Sequence, residues 1–401
     1  MNKNQYKKPN ILVYSIFRFA SKIISKFKFN LHIIGNDTRG KKGPYVIIAN
    51  HESSIDFIFL AATVKRKINF VISNSFYQSL KIQPLLDACG VIPKQQFQTQ
   101  TSDLKKMKRV VENNGVLTIY PAGLMSENGV STAIPKATGK LLKWLGKDVY
   151  VAYISGTYLS SPKWSTIKRK GRVNLNISKL LSAEEIETID IEKLNELVEE
   201  KLKYNAYLKQ GLEPIIYKNG DNLEGLETVL YKCPKCGSEF SIKTIEHNIL
   251  QCDICGNSAK SNKYGLLEKL NEEDIIYKYP NEWYDFIQSD LQKQMLNNND
   301  YYLEAHALVD MIDYKKHKFV NVGDAIIKLD KDKFTITGVL KNENIQKEVS
   351  IATFPMIPFK PGLFFEIQDG NDIYRIKLDN GKEVMKWIMT LKIFFNLYHN
   401  N

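Results

Sequence analysis

His51 and Asp56 are the two residues whose types and spacing first suggest acid–base chemistry. They lie in the stretch NHESSID, between an apolar run at 45–49 and a second apolar run that begins near residue 55. Residues five apart point about 140° away from each other on one continuous helix, at roughly 100° per residue. With His51 in the loop before the helix, however, its imidazole can fold back onto the Asp56 carboxylate, and Ser53 or Ser54 can cap that helix.

This pairing would make a general base with an orienting partner. A carboxylate bonded to one imidazole nitrogen fixes the tautomer and stabilises the imidazolium, so the other nitrogen can take a proton from an attacking hydroxyl. Chance placement of a histidine and an aspartate in one loop is the competing interpretation. The motif therefore predicts a catalytic His51 oriented by Asp56, provided that other loops complete a site.

Polar residues after other apolar runs are candidates for the rest of that site. The run GVIPK ends in a lysine, IYPAGLMS places a Pro/Gly turn after a strand, and IPKATGK opens a helix with two lysines. Backbone N–H groups around the glycine of the Pro/Gly turn can face an anion, whereas the two helix lysines can equally form a solvated face. The candidate substrate-binding residues are Asn50, Lys94, Pro121, Gly123, Ser126, Lys136 and Lys140.

Four of the five cysteines form two Cys-x-x-Cys pairs, CPKC and CDIC, each followed by glycine. Two such pairs separated by 15 residues allow four thiolates to converge on one tetrahedral Zn²⁺, and glycine permits the tight turn of a knuckle. We predict a structural zinc ribbon, because four thiolates leave no open position for substrate. The predicted ligands are Cys233, Cys236, Cys252 and Cys255. No disulfide framework is suggested, which fits a reducing compartment.

The elements that carry these loops alternate between β-rich and amphipathic runs from about 44 to 160. This pattern predicts an α/β domain with a mostly parallel sheet flanked by helices. Ligands of such sheets bind beyond the carboxyl ends of the strands, which is where the candidate residues lie. A helix is expected through 76–89, and residues 183–208 are expected to form one long helix, followed by a turn-rich linker.

The basic charge of the chain is concentrated near its beginning. Residues 1–67 hold 13 Lys/Arg and three Asp/Glu, whereas residues 301–401 hold 14 and 13. Residues 10–29 combine a broad apolar face with a cationic margin, which predicts a helix in the headgroup region of an anionic membrane. Packing on its own domain is the alternative, and neither a membrane span nor a signal peptide is expected here.

The last 120 residues have a different pattern, with short strands joined by turns. A final apolar face at helical spacing, from Val384 to Tyr398, predicts a C-terminal helix. Antiparallel strands closed by one helix resemble a pleckstrin-homology-like domain in architecture alone. A plain antiparallel sheet capped by a helix is the alternative.

The motifs NHESSID, GVIPK, YPAG and IPKATGK, followed by VYVAYISG, together resemble the glycerolipid acyltransferase family that includes 1-acylglycerol-3-phosphate acyltransferases. The resemblance covers roughly residues 30–210. It implies that His51 deprotonates the hydroxyl of a lysolipid, with Asp56 orienting it. The hydroxyl would attack the thioester of acyl-CoA or acyl-carrier protein, and Lys94 would help to hold the phosphate of the acceptor.

The third motif departs from the family. Its usual Pro-Glu-Gly-x-Arg-Ser is Pro121-Ala122-Gly123-Leu124-Met125-Ser126 here, so the acid and the arginine are missing. Loss of the arginine removes a bidentate phosphate clamp. Either Lys94, Lys136 or Lys140 holds the phosphate, or the acceptor differs from lysophosphatidate, and the latter is slightly favoured.

The sequence therefore predicts a peripheral lysophospholipid acyltransferase at the cytoplasmic face of a membrane. The expected parts are an interfacial helix (1–29), an acyltransferase domain (30–215), a zinc ribbon (228–262) and a pleckstrin-homology-like domain closed by a C-terminal helix (280–401). The alternative is a non-catalytic lipid- or nucleic-acid-binding protein on a degenerate acyltransferase scaffold. Nucleic acid is disfavoured, because residues 229–262 are only mildly basic and such binding depends on clustered phosphate contacts.

Overall fold

The computed structural model describes residues 8–95, 100–353, 356–370 and 372–400. The chain divides into two compact units. Unit 1 comprises residues 1–162 and 168–220, and unit 2 comprises residues 163–167 and 221–401. Residues 1–7, 96–97 and 354 lie outside the described residues. They belong to the predicted interfacial helix, the predicted acyltransferase domain and the predicted pleckstrin-homology-like domain, respectively.

Seven strands of unit 1 form one sheet. They are β1 (Leu31–Asn36), β2 (Tyr45–Ala49), β3 (Ile68–Ser73), β4 (Ile92–Lys94), β5 (Val116–Ile119), β6 (Asp148–Ser155) and β7 (Val173–Leu181). Their order is β1-β7-β6-β2-β5-β3-β4. The five strands from β6 to β4 run parallel, whereas β7 is antiparallel to β6 and parallel to β1. The prediction of a mostly parallel sheet is confirmed, and the loops after β2, β4, β5 and β6 leave the same edge.

Helices cover both faces of this sheet. They are α1 (Ile11–Phe27), α2 (Asp56–Thr63), α3 (Asn74–Ser79), α4 (Gln83–Ala88), α5 (Thr101–Glu112), α6 (Ala137–Leu145), α7 (Thr157–Ser160), α8 (Ala183–Thr188), α9 (Ile191–Leu202) and α10 (Ala206–Leu212). On β2, Ile47 joins the core under α1 and α2, whereas Ile48 joins the core under α5, α6 and α9. Full burial of each isoleucine contributes roughly 2 kcal/mol of hydrophobic free energy.

Two helix predictions were wrong in length. Residues 183–208 form three helices, because Asp190 and Asn205 each accept hydrogen bonds from following backbone N–H groups and so begin a new helix. These N-caps interrupt the continuous apolar pattern. Residues 76–89 lie in two helices, α3 and α4, and Pro84 stands in the first turn of the second. A proline is accepted at that position because its missing N–H has no intrahelical partner there.

The first part of unit 2 contains a four-stranded antiparallel sheet. Its strands are β8 (Ile242–Ile245), β9 (Ile249–Cys252), β10 (Ser258–Ser261) and β11 (Leu267–Lys269), in the order β11-β10-β9-β8. The helix α11 (Pro280–Leu296) follows, and it was not predicted. The indole Nε1 of its Trp283 donates to the carbonyl oxygen of Lys232, 2.8 Å away, beside the first cysteine pair.

The second part of unit 2 is a seven-stranded antiparallel sheet and a final helix. Its elements are β12 (Leu303–Asp313), β13 (Lys318–Leu329), β14 (Lys333–Leu340), β15 (Glu343–Ser350), β16 (Phe359–Lys360), β17 (Phe364–Asp369), β18 (Asp372–Leu378) and α12 (Val384–Asn400). The order β15-β14-β13-β12-β18-β17-β16 joins a four-stranded meander to a three-stranded one. The β-rich region and its C-terminal helix are confirmed. The resemblance to a pleckstrin-homology-like domain stays a prediction, with which this connectivity agrees.

Candidate active site

His51 and Asp56 meet at the corner between β2 and α2. The Nδ1 atom of His51 lies 2.9 Å from Oδ2 of Asp56, and the aspartate is fully buried while 21% of the histidine side chain is exposed. Asp56 is the first residue of α2, and its Oδ2 also accepts a hydrogen bond from the backbone N–H of Ser53, 3.0 Å away. The structure therefore brings together the two side chains that the sequence singled out, with His51 in the loop and Asp56 on the helix.

The backbone around His51 is held from two sides. Its carbonyl oxygen accepts hydrogen bonds from the N–H of Ser126, at 3.2 Å, and from the hydroxyl of Tyr204, at 3.1 Å. The imidazole also packs on the ring of Tyr120, with centroids 4.5 Å apart. Tyr120 and Tyr204 were not predicted as site residues, although Tyr120 ends the strand that leads into the predicted Pro/Gly turn.

The serines before α2 do not cap it. Ile55 occupies the N-cap position and makes no side-chain capping bond, whereas the hydroxyl of Ser53 donates to the carbonyl oxygen of Ser161, 3.0 Å away. Ser53 therefore joins the His51 loop to the segment that follows α7.

Asn50 lies directly before His51 but faces the sheet. Its side-chain amide donates to the carbonyl oxygen of Ile154 and accepts the N–H of the same residue, each at 2.7 Å. The side chain is buried, and both of its polar ends are engaged by β6. Asn50 thus connects β2 to β6, and its binding of substrate stays a prediction.

Glu52 follows His51 and was not predicted as a site residue. Its Oε2 accepts three hydrogen bonds, from the N–H and the hydroxyl of Thr157 and from the N–H of Tyr158, at 2.9 to 3.0 Å. Burial raises the pKa of this carboxyl to about 7, and these hydrogen bonds offset that effect only in part. A buried carboxyl beside the candidate base is thereby able to change charge near neutral pH.

The loop after β5 contributes less to the site than its sequence suggests. Ser126 is fully buried, and its hydroxyl donates to the carbonyl oxygen of Val130 and accepts the N–H of Gly129. These bonds hold the loop, and a substrate contact of Ser126 stays a prediction. The N–H of Gly123 donates to the carbonyl oxygen of Tyr120, 3.0 Å away. This backbone N–H, which was expected to face an anion, therefore forms a hydrogen bond within the turn.

Gly123 is nevertheless placed where a ligand can approach it. It is exposed and has a φ of +71°, and no atom lies within 4 Å of the position that a Cβ would take. The half-buried Pro121 lies in the same turn, which follows β5, the strand next to β2 in the sheet. These two residues remain candidate substrate contacts at the same sheet edge as His51.

The three predicted lysines occupy different places. Lys94 ends β4, three strands from β2, which corresponds to about 14 Å at roughly 4.8 Å per strand. Its Nζ donates to the carbonyl oxygen of Gln95, and burial lowers its pKa. Lys136 and Lys140 are exposed at the beginning of α6, the helix that leads from β5 to β6. Two strands therefore separate Lys94 from the strand that leads to His51, whereas Lys136 and Lys140 lie where the loop after β5 enters α6.

Lys168 is a basic residue near the His51 loop that was not predicted. Its Nζ lies 3.4 Å from the hydroxyl oxygen of Ser161, whose carbonyl oxygen accepts the hydroxyl proton of Ser53. The side chain is exposed. The signal in the sequence was the basic run IKRKGR after the last parallel strand, which is again a segment beyond a carboxyl end.

The four cysteines of unit 2 converge as predicted. Their sulfur atoms all lie within 4.8 Å of one another, with Cys233 to Cys255 at 3.7 Å and Cys236 to Cys252 at 3.8 Å. A tetrahedron with metal–sulfur bonds of roughly 2.3 Å has edges of about 3.8 Å, whereas a disulfide would need about 2.05 Å. The four thiols fit a metal ion.

Hydroxyl groups support the cysteine cluster. The hydroxyl of Ser238 lies 2.9 Å from the sulfur of Cys236, and that of Ser241 lies 3.3 Å from the sulfur of Cys252. Hydroxyl donors next to thiolate ligands orient them and stabilise their charge. The neighbouring Gly237 and Gly256 have φ values of +75° and +70°, so both predicted knuckle turns use a backbone conformation that favours glycine.

The geometry at His51 can perform general base catalysis. A carboxylate at Nδ1 favours the tautomer with the proton on Nδ1 and leaves Nε2 free to accept one. The base lies at the carboxyl edge of a parallel sheet, where α/β domains bind their ligands. This combination of fold, site position and motif order defines a domain of the acyltransferase class.

Comparison with known proteins agrees with this class. Residues 30–161 match the family model described as Acyltransferase, and the resemblance seen in the sequence is thereby confirmed. The 1-acyl-sn-glycerol-3-phosphate acyltransferase of Saccharomyces cerevisiae is 27% identical over 184 residues. That alignment covers 43% of this chain and 58% of the yeast protein, so the chain spans less than two thirds of its relative.

A solved structure is also similar to this chain. The crystal structure of PlsC, the 1-acyl-sn-glycerophosphate (LPA) acyltransferase of Thermotoga maritima, matches with a TM-score of 0.41 and 19% sequence identity. The match covers 50% of this chain and 77% of PlsC.

Proposed function

We propose that the chain is a lysophospholipid acyltransferase of phospholipid biosynthesis or remodelling. It transfers an acyl group from acyl-CoA or acyl-carrier protein to a hydroxyl of a lysolipid. The observation that carries this proposal is the 2.9 Å contact between His51 and the buried Asp56 at the carboxyl edge of the sheet. The family of residues 30–161 and the name of the yeast relative support the same reaction.

The reaction follows from the base and its partner. Nε2 of His51 takes the proton of the acceptor hydroxyl while its oxygen attacks the thioester carbon, and Asp56 stabilises the imidazolium that forms. Collapse of the tetrahedral intermediate breaks the carbon–sulfur bond. The imidazolium returns its proton to the leaving sulfur, so the products are the acylated lipid and a free thiol. No acyl-enzyme is needed.

We propose zinc as the metal of the cysteine cluster. Four thiolates at tetrahedral spacing suit Zn²⁺, and a closed shell of this kind has a structural role. When bound, the ion supplies a cross-link between the turns at 233–236 and 252–255. The residues that would hold it are Cys233, Cys236, Cys252 and Cys255.

We also propose that α1 attaches the protein to the cytoplasmic face of a membrane. Its large apolar side chains point outwards, with Ile11 73%, Leu12 71% and Phe19 67% exposed, whereas Ser21 and Ser25 are buried. A helix that served only to pack on its own domain would bury the apolar residues instead. Within the described residues, no helix is long and apolar enough to cross a bilayer.

Thiol release provides the test of the reaction. Purified protein is incubated with acyl-CoA or acyl-carrier protein and a panel of lysolipids, and free thiol and acylated lipid are both quantified. We expect His51→Ala to lower kcat by about 10²- to 10⁴-fold. His32→Ala, at an exposed histidine on β1, is the matched control and should keep full activity. Absence of turnover with every lysolipid and both donors would overturn the proposal.

A further inference from the structure

The loop that carries His51 is joined to the β6–α7 corner by a single buried carboxylate. Glu52 is only 2% exposed, and its Oε2 is the common acceptor for the N–H groups of Thr157 and Tyr158 and for the Thr157 hydroxyl. These partners are more than 100 residues away in sequence. Hydrogen bonds to an ionised acceptor are roughly twice as strong as bonds between neutral groups.

Other hydrogen bonds also hold the backbone and the neighbouring side chain at the His51–Glu52 peptide. The carbonyl oxygen of His51 is held by Ser126 and Tyr204, and Asn50 is held by Ile154. Asp56 contacts the His51 ring and the N–H of Ser53 from within the same segment, whereas Glu52 is the ionisable side chain that connects this stretch to the β6–α7 corner.

We propose that Glu52 is a positioning residue that holds His51 in its productive place when its carboxylate is charged, through the three hydrogen bonds to the β6–α7 corner. The inference rests on the proposed function. Displacement of a catalytic group by about 1 Å can cost roughly 10²-fold in rate, so a looser corner is enough to slow the reaction.

The charge of Glu52 also carries a cost for the fold. Burial raises the pKa of Glu52 from its ordinary value of 4.5 to about 7, so the folded chain retains a proton between these values that the unfolded chain has lost. The corresponding stabilisation is fully present below pH 4.5 and is lost as the pH rises through 7. At pH 8 the folded protein therefore contains a buried carboxylate that lowers its stability. The same charge strengthens the three hydrogen bonds from Thr157 and Tyr158.

Several titratable groups surround this carboxyl. The negative charge of Asp56 disfavours ionisation of Glu52. Burial and the charge of Glu52 in turn raise the pKa values of three tyrosine hydroxyls. A lysine and a glutamate of the α10 region line the same cavity as Glu52. Lys209 donates to the hydroxyl of Ser155, and its positive charge opposes the effect of Asp56. The groups are His51, Asp56, Tyr153, Tyr204, Lys209, Glu213 and Tyr217.

Glu52→Gln separates this role from a merely structural one. Glutamine keeps the size of the side chain and one acceptor oxygen but remains neutral. We expect a kcat about 10-fold below wild type at pH 8 with little change in KM, and a ratio of the two kcat values that falls towards 1 at pH 6.

Two further measurements need no substrate. At pH 8, Glu52→Gln should melt at a higher temperature than wild type, and this difference should shrink towards pH 5. Its Thr157 and Tyr158 amides should nevertheless exchange hydrogen about 10-fold faster than those of wild type at pH 8, because the neutral acceptor binds them less strongly. Glu185→Gln is the matched control, since Glu185 accepts a backbone N–H in the exposed capping box of α8.

The outcomes are distinguishable. Parallel loss of melting temperature and kcat at every pH would make Glu52 a structural residue only, and unchanged kcat and exchange would remove any role. Both results overturn the inference. A wild type without turnover would overturn the proposed function, whereas the melting and exchange data would still decide whether a charged Glu52 holds this corner.

Discussion

In the proposed reaction, a phosphate-bearing acceptor lipid would need a positive charge that the third motif does not supply. Ala122 and Met125 stand where the family has an acid and an arginine. Lys94 is about three strands from His51, and its amino group already donates to a carbonyl oxygen. Lys168 is joined to the His51 loop through Ser161 and Ser53, and its side chain is exposed. Among the described lysines, the contacts favour Lys168 as the phosphate ligand.

Lys168→Ala should therefore weaken acceptor binding without affecting the chemical step. We expect the KM for a phosphate-bearing lysolipid to rise about 10-fold, because a lost charge-assisted hydrogen bond of roughly 1.4 kcal/mol corresponds to that factor. The kcat should stay within about twofold, and steady-state kinetics with varied lysolipid measure both constants. Lys170→Ala, an exposed lysine two residues further on, is the control. Equal KM values for the two variants would assign the phosphate to another cation.

The contact between His51 and Asp56 was predictable from the sequence because its determinants are local. Four residues separate His51 from Asp56, and the change from strand to loop to helix between them is visible in the apolar pattern. Glu52, Asn50 and Ser126 could not be assigned in this way. Their hydrogen-bond partners lie on β6, α7 or their own loop, so only the fold reveals which bonds these three side chains make.

At the scale of elements, the sequence predicted the parallel core better than its edges. The strands β2 to β6 were predicted because each is a short apolar run between helical segments. The strand β7, which lies next to the edge strand β1, was missed, although Val173, Leu175 and Ile177 alternate with polar residues and are fully buried. The expected long helix at 183–208 failed for a different reason, because caps at Asp190 and Asn205 override a continuous apolar spacing.

The helix α1 packs one face on its own unit and exposes the other, and the exposed face is the one proposed to bind a membrane. It packs on α2, where Phe17 stacks on Phe57 beside Asp56, with ring centroids 6.1 Å apart. Its opposite side presents apolar residues and the exposed Lys22 and Lys26 to the surroundings. An apolar face with a cationic margin binds anionic bilayers through both burial and electrostatic attraction.

Ile16→Asp with Phe19→Asp should therefore reduce membrane binding. Both side chains are more than 60% exposed, so the fold should be retained. Two charges placed at the boundary between the lipid headgroups and the acyl chains should weaken membrane binding at least 10-fold. Co-sedimentation with vesicles of phosphatidylcholine and phosphatidylglycerol measures the change. Leu212→Asp is the control, since Leu212 is 75% exposed on α10. Equal loss in both proteins would show that α1 is not the attachment surface.

At the scale of the whole molecule, charged contacts within unit 2 join the segment that carries the cysteine cluster to the helices α11 and α12. Lys232, directly before Cys233, is buried and lies 2.6 Å from Asp290 of α11, whose pKa it lowers. Lys386 of α12 lies 2.6 Å from Glu239, between the two cysteine pairs. Breaking a buried pair of this kind leaves an uncompensated charge, which is strongly destabilising. The turns that hold the metal ligands therefore also position the partners of α11 and α12.

Removal of the metal should consequently loosen unit 2 as a whole. Binding of structural zinc contributes about 10–16 kcal/mol in small zinc domains, so its loss exceeds what the remaining contacts of the turns can offset. We expect one zinc per chain by elemental analysis, and faster amide exchange at 232–242, α11 and α12 after chelation under reducing conditions. Cys252→Ser should reproduce this effect, and Cys89→Ala, at the isolated buried cysteine of unit 1, should not. If amide exchange became faster only in the two cysteine turns, α11 and α12 would keep their positions without the metal. In that case Lys232 and Lys386 would keep their carboxylate partners in the metal-free protein.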